Sequence, residues 1–242
     1  MVRATPIQEI WSAEYLVRLE RRIWWQVMDF QYRANPELVT LDQVVASHGV
    51  IDSVDLDSIH QREMVTKHDL MARLEEFAAL SGHNRIHLGM TSADIVENTF
   101  LIRQLRSVVA LGPRTVMAAS LPPFRGIRGP IGSDVDQIAL IGLKNAQQLS
   151  KHVAHEFGFD EVINSVAQCM PRSFDLRLAN SLFPLIEDEA GRAIASGCLT
   201  MLAEQNFWLE GDVASSCVRR HAWPLLFSVL EGTYLKEREH YA

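Results

Sequence analysis

The chain has 242 residues, of which 48% are apolar and 22% are charged. This length allows one large or two small domains, and the composition excludes global disorder. A formal net charge of −7 without any Lys- or Arg-rich run argues against nucleic-acid or membrane partners. The three cysteines lack metal-ligand spacing, and Glu9 and Glu14 interrupt any signal peptide. We therefore expect a cytoplasmic protein without a metal site.

Helical periodicity dominates the first part of the chain. Apolar residues recur at three- and four-residue steps from about 12 to 34, where Asn35-Pro36 ends the helix. Thr66, with an acidic residue three positions later, predicts the start of a second helix that Ser81-Gly82 closes. A third helix is predicted to follow Thr91-Ser92.

Glycine and proline then interrupt the pattern. Residues 112–133 are rich in both and are predicted to be a linker, after which a helical pattern runs from about 134 to 157. These features divide the chain into an N-terminal helical domain, 1–111, and a second helical region, 134–242.

The last part of the chain is also predicted to be helical. After a loop around Pro171, a pattern runs from Phe174 to about Glu210, and Pro184 should kink or split it. Gly211–Trp223 is predicted to be a loop, and Pro224 is predicted to start a final helix. Long helices with few strand signals predict an all-α fold, most simply a helical bundle.

The segment Ile86–Asp94 concentrates polar chemistry at the start of a predicted helix. Thr91 and Ser92 lie where free backbone N–H groups and the helix dipole favour an anion. Capping is an alternative interpretation, because Thr91 and Asp94 have the spacing of a capping box.

Further polar elements lie between the predicted helices. They are Ala4-Thr5-Pro6 with Ile10-Trp11-Ser12, Thr66-Lys67-His68-Asp69, His87-Leu88-Gly89-Met90-Thr91-Ser92-Ala93-Asp94, Gln168-Cys169-Met170-Pro171-Arg172, and Glu210-Gly211-Asp212-Val213-Ala214-Ser215-Ser216-Cys217-Val218-Arg219-Arg220. In this order they resemble the sequence elements of adenylosuccinate lyases, in the fumarase/aspartase superfamily. The resemblance implies an incomplete fumarase/aspartase-like helical bundle.

The resemblance also implies a reaction. Its members release fumarate from adenylosuccinate, which gives AMP, and from an imidazole-carboxamide analogue in purine biosynthesis, without a metal or organic cofactor. Ser216 would remove the proton, with Ser215 as the less favoured choice, and Arg219 and Arg220 would supply positive charge. On the residues alone, the serine pair also fits a polar loop, and the arginine pair fits solvated charge.

Substrate contacts follow from the same resemblance. Thr91 and Ser92 would hold a substrate carboxylate, while His68 and His87, as catalytic histidines, would contact the nucleotide phosphate or the succinyl group. Without the resemblance, a capped surface turn would be the better interpretation of His68. The other implied substrate-binding residues are Arg3, Asp94, Gln168 and Arg172.

The chain also departs from the family pattern. The family has an R-T-H element whose histidine protonates the leaving nitrogen, but Arg114-Thr115-Val116 stands there and no histidine occurs between Leu88 and Lys151. Relative to the family, we expect 112–133 to replace a longer segment, 134–242 to supply part of the central bundle, and the C-terminal domain to be absent. The family implies a homotetramer, so we expect a homo-oligomer. An inactive member that binds nucleotide or assembles with a full-length relative, and a sister lyase such as argininosuccinate lyase, are the alternatives.

Overall fold

The computed structural model describes residues 4–127, 146–160, 162–163, 172–204 and 213–240. Most of these residues lie in helices, and their strands are limited to one short parallel pair. The prediction of an all-α fold is therefore confirmed. None of the helices in these ranges is both long enough and apolar enough for a membrane span.

The described residues form eleven α-helices, two short strands and a 3₁₀ turn. In chain order they are α1 (Pro6–Ile10), α2 (Ala13–Ala34), α3 (Leu41–Gly49), α4 (Leu56–Thr66), α5 (Asp69–Ser81), α6 (Ser92–Leu111), α7 (Pro113–Ala118), β1 (Phe124–Arg125), α8 (Ala146–Glu156), β2 (Val162–Ile163), α9 (Arg172–Leu182), a 3₁₀ turn (Phe183–Leu185), α10 (Glu189–Glu204) and α11 (Val213–His240).

The chain divides into two compact units, each assembled from separate stretches of sequence. The first unit comprises Met1–Ser12, Phe100–Pro122 and Ala167–Ala242, and the second comprises Ala13–Thr99 and Pro123–Val166. Residues of α6 are shared between them, so a sequential division of the chain does not describe these units. The sequence-based domain bounds remain a prediction.

The long helix α2 is the centre of the second unit. Its periodic apolar residues are buried as predicted, with Ile23 and Trp24 fully excluded from solvent, and the helix ends at Ala34 immediately before Asn35. Helix α2 packs against α3 and α8. The sequence analysis did not identify α3 or α4, because each is short and buries few apolar residues.

The turn between α4 and α5 corrects one prediction. Thr66 ends α4 and does not begin the next helix. Lys67 then adopts a left-handed conformation with φ 54°, and His68 is the N-cap of α5. The Thr66 hydroxyl accepts a hydrogen bond from the His68 backbone N–H at 3.3 Å, so it stabilises the turn between the helices. At the other end of α5, Gly82 supplies the predicted left-handed cap.

Residues 112–127 are more ordered than a linker. Pro113 begins the short helix α7, because a proline at the first helical position loses no hydrogen bond. Phe124 and Arg125 then pair in parallel with Val162 and Ile163. The remainder of the predicted linker, and residues 134–145 of the predicted helix, lie outside the described residues.

The first unit confirms one expectation about proline and corrects another. Pro184 lies in the 3₁₀ turn that separates α9 from α10, as predicted. Pro224, in contrast, lies inside α11, which begins at Val213, so the predicted loop is wrong from that residue onward. An internal proline costs roughly 3 kcal/mol. Burial of residues such as Trp223 and Phe227 offsets this cost, since each large apolar side chain contributes about 1.5–3 kcal/mol.

Candidate functional site

The entrance to α6 is a strained loop with a cap. His87 and Gly89 both have positive φ, at 65° and 70°, so the chain reverses sharply before the helix begins. The backbone N–H of Thr91 then donates to Asp94 Oδ2 at 3.0 Å, which is the second half of a capping box. Ser92 is the first residue of α6 and is half-buried. The capping interaction of Asp94 and the polar helix entrance are therefore both present.

Asp94 connects this entrance to β1. Its Oδ1 accepts from Arg125 Nη1 at 2.6 Å, and both side chains are buried. The Asn98 amide donates to the Asp94 and Arg125 carbonyls at 2.9 and 3.0 Å, and its oxygen accepts from the Arg125 backbone N–H. Since Asp94 is 0% exposed, its carboxylate supports the loop from within. Nη2 of Arg125 has no hydrogen-bond partner among the described residues.

His87 is held by helix α2. The indole Nε1 of Trp24 donates to His87 Nδ1 at 2.9 Å, and the two rings meet edge to face at 87°. Burial lowers the pKa of His87 to about 4, and nearby His68 also lowers it, whereas the Asp94 carboxylate opposes the shift. His87 is consequently neutral at physiological pH.

A second residue of α2 supports the same loop. Gln31, about two helical turns after Trp24, is buried and donates from its side chain to the Leu88 carbonyl at 3.1 Å. Trp24 is itself fixed by stacking on Phe77, with the ring centroids 6.0 Å apart. One face of α2 therefore holds both His87 and the residue that follows it.

His68 lies close enough to His87 to affect its titration. As the N-cap of α5, His68 accepts the Met71 backbone N–H at Nδ1, at 3.3 Å, so a neutral His68 ring carries its proton on Nε2. The side chain is 53% exposed. The adjacent Asp69 accepts from Arg73 at 3.3 Å, and Arg73 also donates to Glu20 at 2.6 Å. The second unit thus brings together a half-buried and an exposed histidine beside the start of α6.

The predicted site residues of the segment Glu210–Arg220 belong to the first unit. Arg219 is buried, pairs with Asp175 at 3.2 Å, and lies over the ring of Phe100 at 4.5 Å. Gln104 donates to the same aspartate at 3.1 Å. Arg220, the next residue of α11, is exposed. Arg219 is therefore engaged in the packing of this unit.

Several predicted positions can be located only partly. Ser215 and Ser216 lie on the backbone of α11, and Arg172 begins α9, but the side chains of all three lie outside the described residues. Arg3 and Gln168 lie outside them altogether.

Sequence reasoning missed the residues that support the loop. It attached no role to Gln31 or Asn98. The spacing of Trp24 and Gln31 along one helix face was the available signal. Among the described residues, no group of three or more His, Cys, Asp or Glu side chains has a metal-binding arrangement.

Comparisons with known proteins identify the fold. No protein-family model matches the sequence, and no curated protein matches it either. The structure is similar to beta-carboxy-cis,cis-muconate cycloisomerase from Acinetobacter calcoaceticus sp. ADP1, with a TM-score of 0.67 and 12% identity, over 94% of this chain and 74% of that one.

A fumarate lyase from Mesorhizobium sp. BNC1 is similar to the same extent, with a TM-score of 0.64 and 13% identity, over 97% of this chain and 75% of that one. Sequence identities this low establish the fold alone. The expectation of a fumarase/aspartase-like helical fold is confirmed.

Proposed function

We propose that this chain is a lyase of the fumarase/aspartase type that releases fumarate from adenylosuccinate, giving AMP, and from the imidazole-carboxamide analogue. One observation carries the proposal. The segment His87–Asp94, which resembles the adenylosuccinate lyase element, forms a braced polar entrance to a long helix in a fold similar to a fumarate lyase. The helix N-terminus suits a carboxylate, and Thr91 and Ser92 are proposed to hold it there.

The elimination requires a base and an acid. The base removes a proton from the carbon beside a carboxylate, the carbon–nitrogen bond breaks, and the acid protonates the departing nitrogen. We assign the base to Ser216, with Ser215 as the alternative. Since Arg219 is paired and buried, the exposed Arg220 is the better candidate for stabilising negative charge that develops in the reaction.

The two histidines suit different tasks. A pKa of about 4 leaves His87 without an acidic proton to transfer at neutral pH. His68 is more exposed, so we assign any histidine-assisted proton transfer to His68. We assign the binding of a substrate carboxylate or phosphate oxygen to His87. Arg3, Gln168 and Arg172 are proposed to complete the substrate contacts. Asp94 is proposed to act through the loop that it braces.

Two other functions have specific support. The lack of a histidine between Leu88 and Lys151 favours an inactive member that binds nucleotide or assembles with a full-length relative. The structural neighbours are equally consistent with a sister lyase, such as one acting on argininosuccinate. The resemblance of Glu210–Arg220 favours adenylosuccinate. We further propose a cytoplasmic homo-oligomer, a tetramer as in the family, without a cofactor.

Absorbance-monitored cleavage of adenylosuccinate by the purified chain tests this function. Ser216→Ala should lower turnover by at least about 10²-fold, as expected for loss of a catalytic base, while its neighbour Ser215→Ala should retain most of it. Equal turnover in Ser216→Ala and the wild type would remove Ser216 from the mechanism.

Parallel measurements separate the alternatives. Cleavage of argininosuccinate but not adenylosuccinate would identify a sister lyase. AMP binding in equilibrium dialysis without turnover of either substrate would identify an inactive member.

A further inference from the structure

The contact between Trp24 and His87 determines which nitrogen of the histidine carries the proton. We propose that Trp24 is a positioning residue that locks His87 as the Nε2–H tautomer, so that this ring acts as a permanent hydrogen-bond donor to an anionic oxygen of the ligand. The role of the ligand rests on the proposed function, whereas the locked tautomer does not. The anionic oxygen belongs to a carboxylate or a phosphate.

Donor chemistry requires this tautomer. An indole N–H can only donate a hydrogen bond, so the nitrogen that it contacts must present a lone pair. The contact is made to Nδ1, at 2.9 Å from Trp24 Nε1. The neutral ring of His87 must then carry its proton on Nε2. Protonation of Nδ1 would place two N–H groups against each other and would break the contact.

The surrounding packing fixes the orientation of the ring. Trp24 is 0% exposed and stacks on Phe77, so packing restricts the orientation of its indole. Gln31 anchors the Leu88 carbonyl at 3.1 Å, which holds the backbone next to His87. His87 itself adopts the left-handed conformation, which sets the direction of its side chain relative to the loop. The tautomer and the direction of the Nε2–H bond are thus set together.

The charged neighbours agree with a neutral donor. Burial has the largest effect on His87 and disfavours its charged form, and His68 acts in the same direction. The Asp94 carboxylate favours the charged form but does not prevail, because it is itself paired with Arg125 and Thr91. A neutral N–H donor next to the N-terminus of α6 adds to the positive end of the helix dipole, which favours an anionic oxygen.

Nitrogen-15 NMR of the histidine rings in the wild-type protein tests the tautomer without any substrate. His87→Gln identifies the His87 signals by their loss. We expect a pyrrole-like Nε2 and a pyridine-like Nδ1 that persist from pH 8 to pH 5. A protonated Nδ1 on the neutral ring, or a His87 midpoint near 6.5, would overturn the proposal. This spectrum is recorded on the wild-type protein, so it decides the tautomer without any change at Trp24.

Two tryptophan variants test the role of Trp24. Trp24→Phe removes the donor and should allow both tautomers, with a rise in the His87 pKa of roughly half to one pH unit for one lost hydrogen bond. Trp25→Phe is the matched control, because the Trp25 indole N–H has no hydrogen-bond partner among the described residues. An unchanged tautomer in Trp24→Phe, or the same change in Trp25→Phe, would refute the positioning role.

Titration with inorganic phosphate and, separately, with fumarate tests the ligand. A shift of the His87 Nε2 signal with phosphate assigns the donor to a phosphate oxygen, and a shift with fumarate assigns it to a carboxylate. A shift with neither anion would overturn the donor role. These readouts need no turnover, so they can support the tautomer even if the cleavage assay shows no activity. An active lyase in which His87 exchanges between tautomers would refute this inference and leave the proposed function in place.

Discussion

The buried pair of Asp94 and Arg125 should be the most sensitive point of the α6 entrance. The two side chains are 0% and 5% exposed, and their closest atoms are 2.6 Å apart. Asp94→Asn keeps the shape and much of the hydrogen bonding but leaves the guanidinium buried without its counter-ion. Removing one member of such a pair typically costs about 3–5 kcal/mol.

An exposed ion pair provides the internal standard. Arg114 and Glu187 are 3.0 Å apart, but their side chains are 47% and 57% exposed. Pairs of this kind contribute about 0–1 kcal/mol, so Glu187→Gln should leave stability almost unchanged. The two pairs have similar distances between their charged atoms but differ in burial. The comparison therefore tests how desolvation of the charges affects the free energy of unfolding.

Urea unfolding followed by circular dichroism measures these differences. Asp94→Asn should lower the free energy of unfolding by about 3–5 kcal/mol, and Arg125→Met should do likewise, because it removes a buried counter-ion of the aspartate. The double variant should lose much less than the sum, because neither charge is then left alone. A loss below about 1 kcal/mol in Asp94→Asn, equal to that in Glu187→Gln, would refute this reasoning.

Two further predictions concern pH and packing. The pKa of His87 is about 4 when folded, below its value of about 6.5 in an unfolded chain, so the unfolded state binds more protons between these values. The free energy of unfolding should fall by up to about 3 kcal/mol as pH decreases from 6.5 to 4. Urea titrations at several pH values should show a smaller fall in His87→Gln. An unchanged dependence of the unfolding free energy on pH in this variant would exclude His87 as the cause. Gly191→Ala should lower the thermal midpoint of unfolding, because its Cβ would lie 2.8 Å from Asp188 Oδ2 and 3.0 Å from Val229 Cγ1. Gly197→Ala has open space around the new Cβ and should raise the free energy of unfolding by about 0.5–1 kcal/mol. A higher midpoint for Gly191→Ala than for Gly197→Ala in calorimetry would contradict this prediction.

Local signals predicted much of the helical framework. The apolar period of α2, the glycine after α5 and Pro184 between α9 and α10 each act through backbone chemistry within a few residues, so the sequence alone reveals them. Thr66 misled the prediction because a hydroxyl can cap a helix or stabilise a turn equally well. Pro224 misled it because burial of neighbouring apolar side chains overrides the intrinsic cost of an internal proline.

The site was predictable only where a motif is contiguous. The segment from His87 to Asp94 was found because its polar residues lie together in the sequence. Its supports were not, since Trp24 and Arg125 contact it from far along the chain. An indole or a guanidinium in isolation gives no indication of its partner. Long-range contacts of this kind need the fold before they can be assigned.

Helix α2 supports two separate sequence motifs. Its Glu20 accepts from Arg73, which also contacts Asp69 next to His68, and these carboxylates raise the pKa of Arg73 although burial lowers it. Further along α2, Trp24 fixes His87.

Helix α2 therefore contacts the surroundings of the two histidines through different chemistry. Ion pairs reach the residue beside the exposed His68, and a single neutral hydrogen bond reaches the half-buried His87. A substitution in α2 that keeps its apolar core but removes the Trp24 donor should separate these effects, because it alters His87 and leaves the cap of α5 intact. The loss of both histidine environments in Trp24→Phe would instead mean that α2 contributes only general packing.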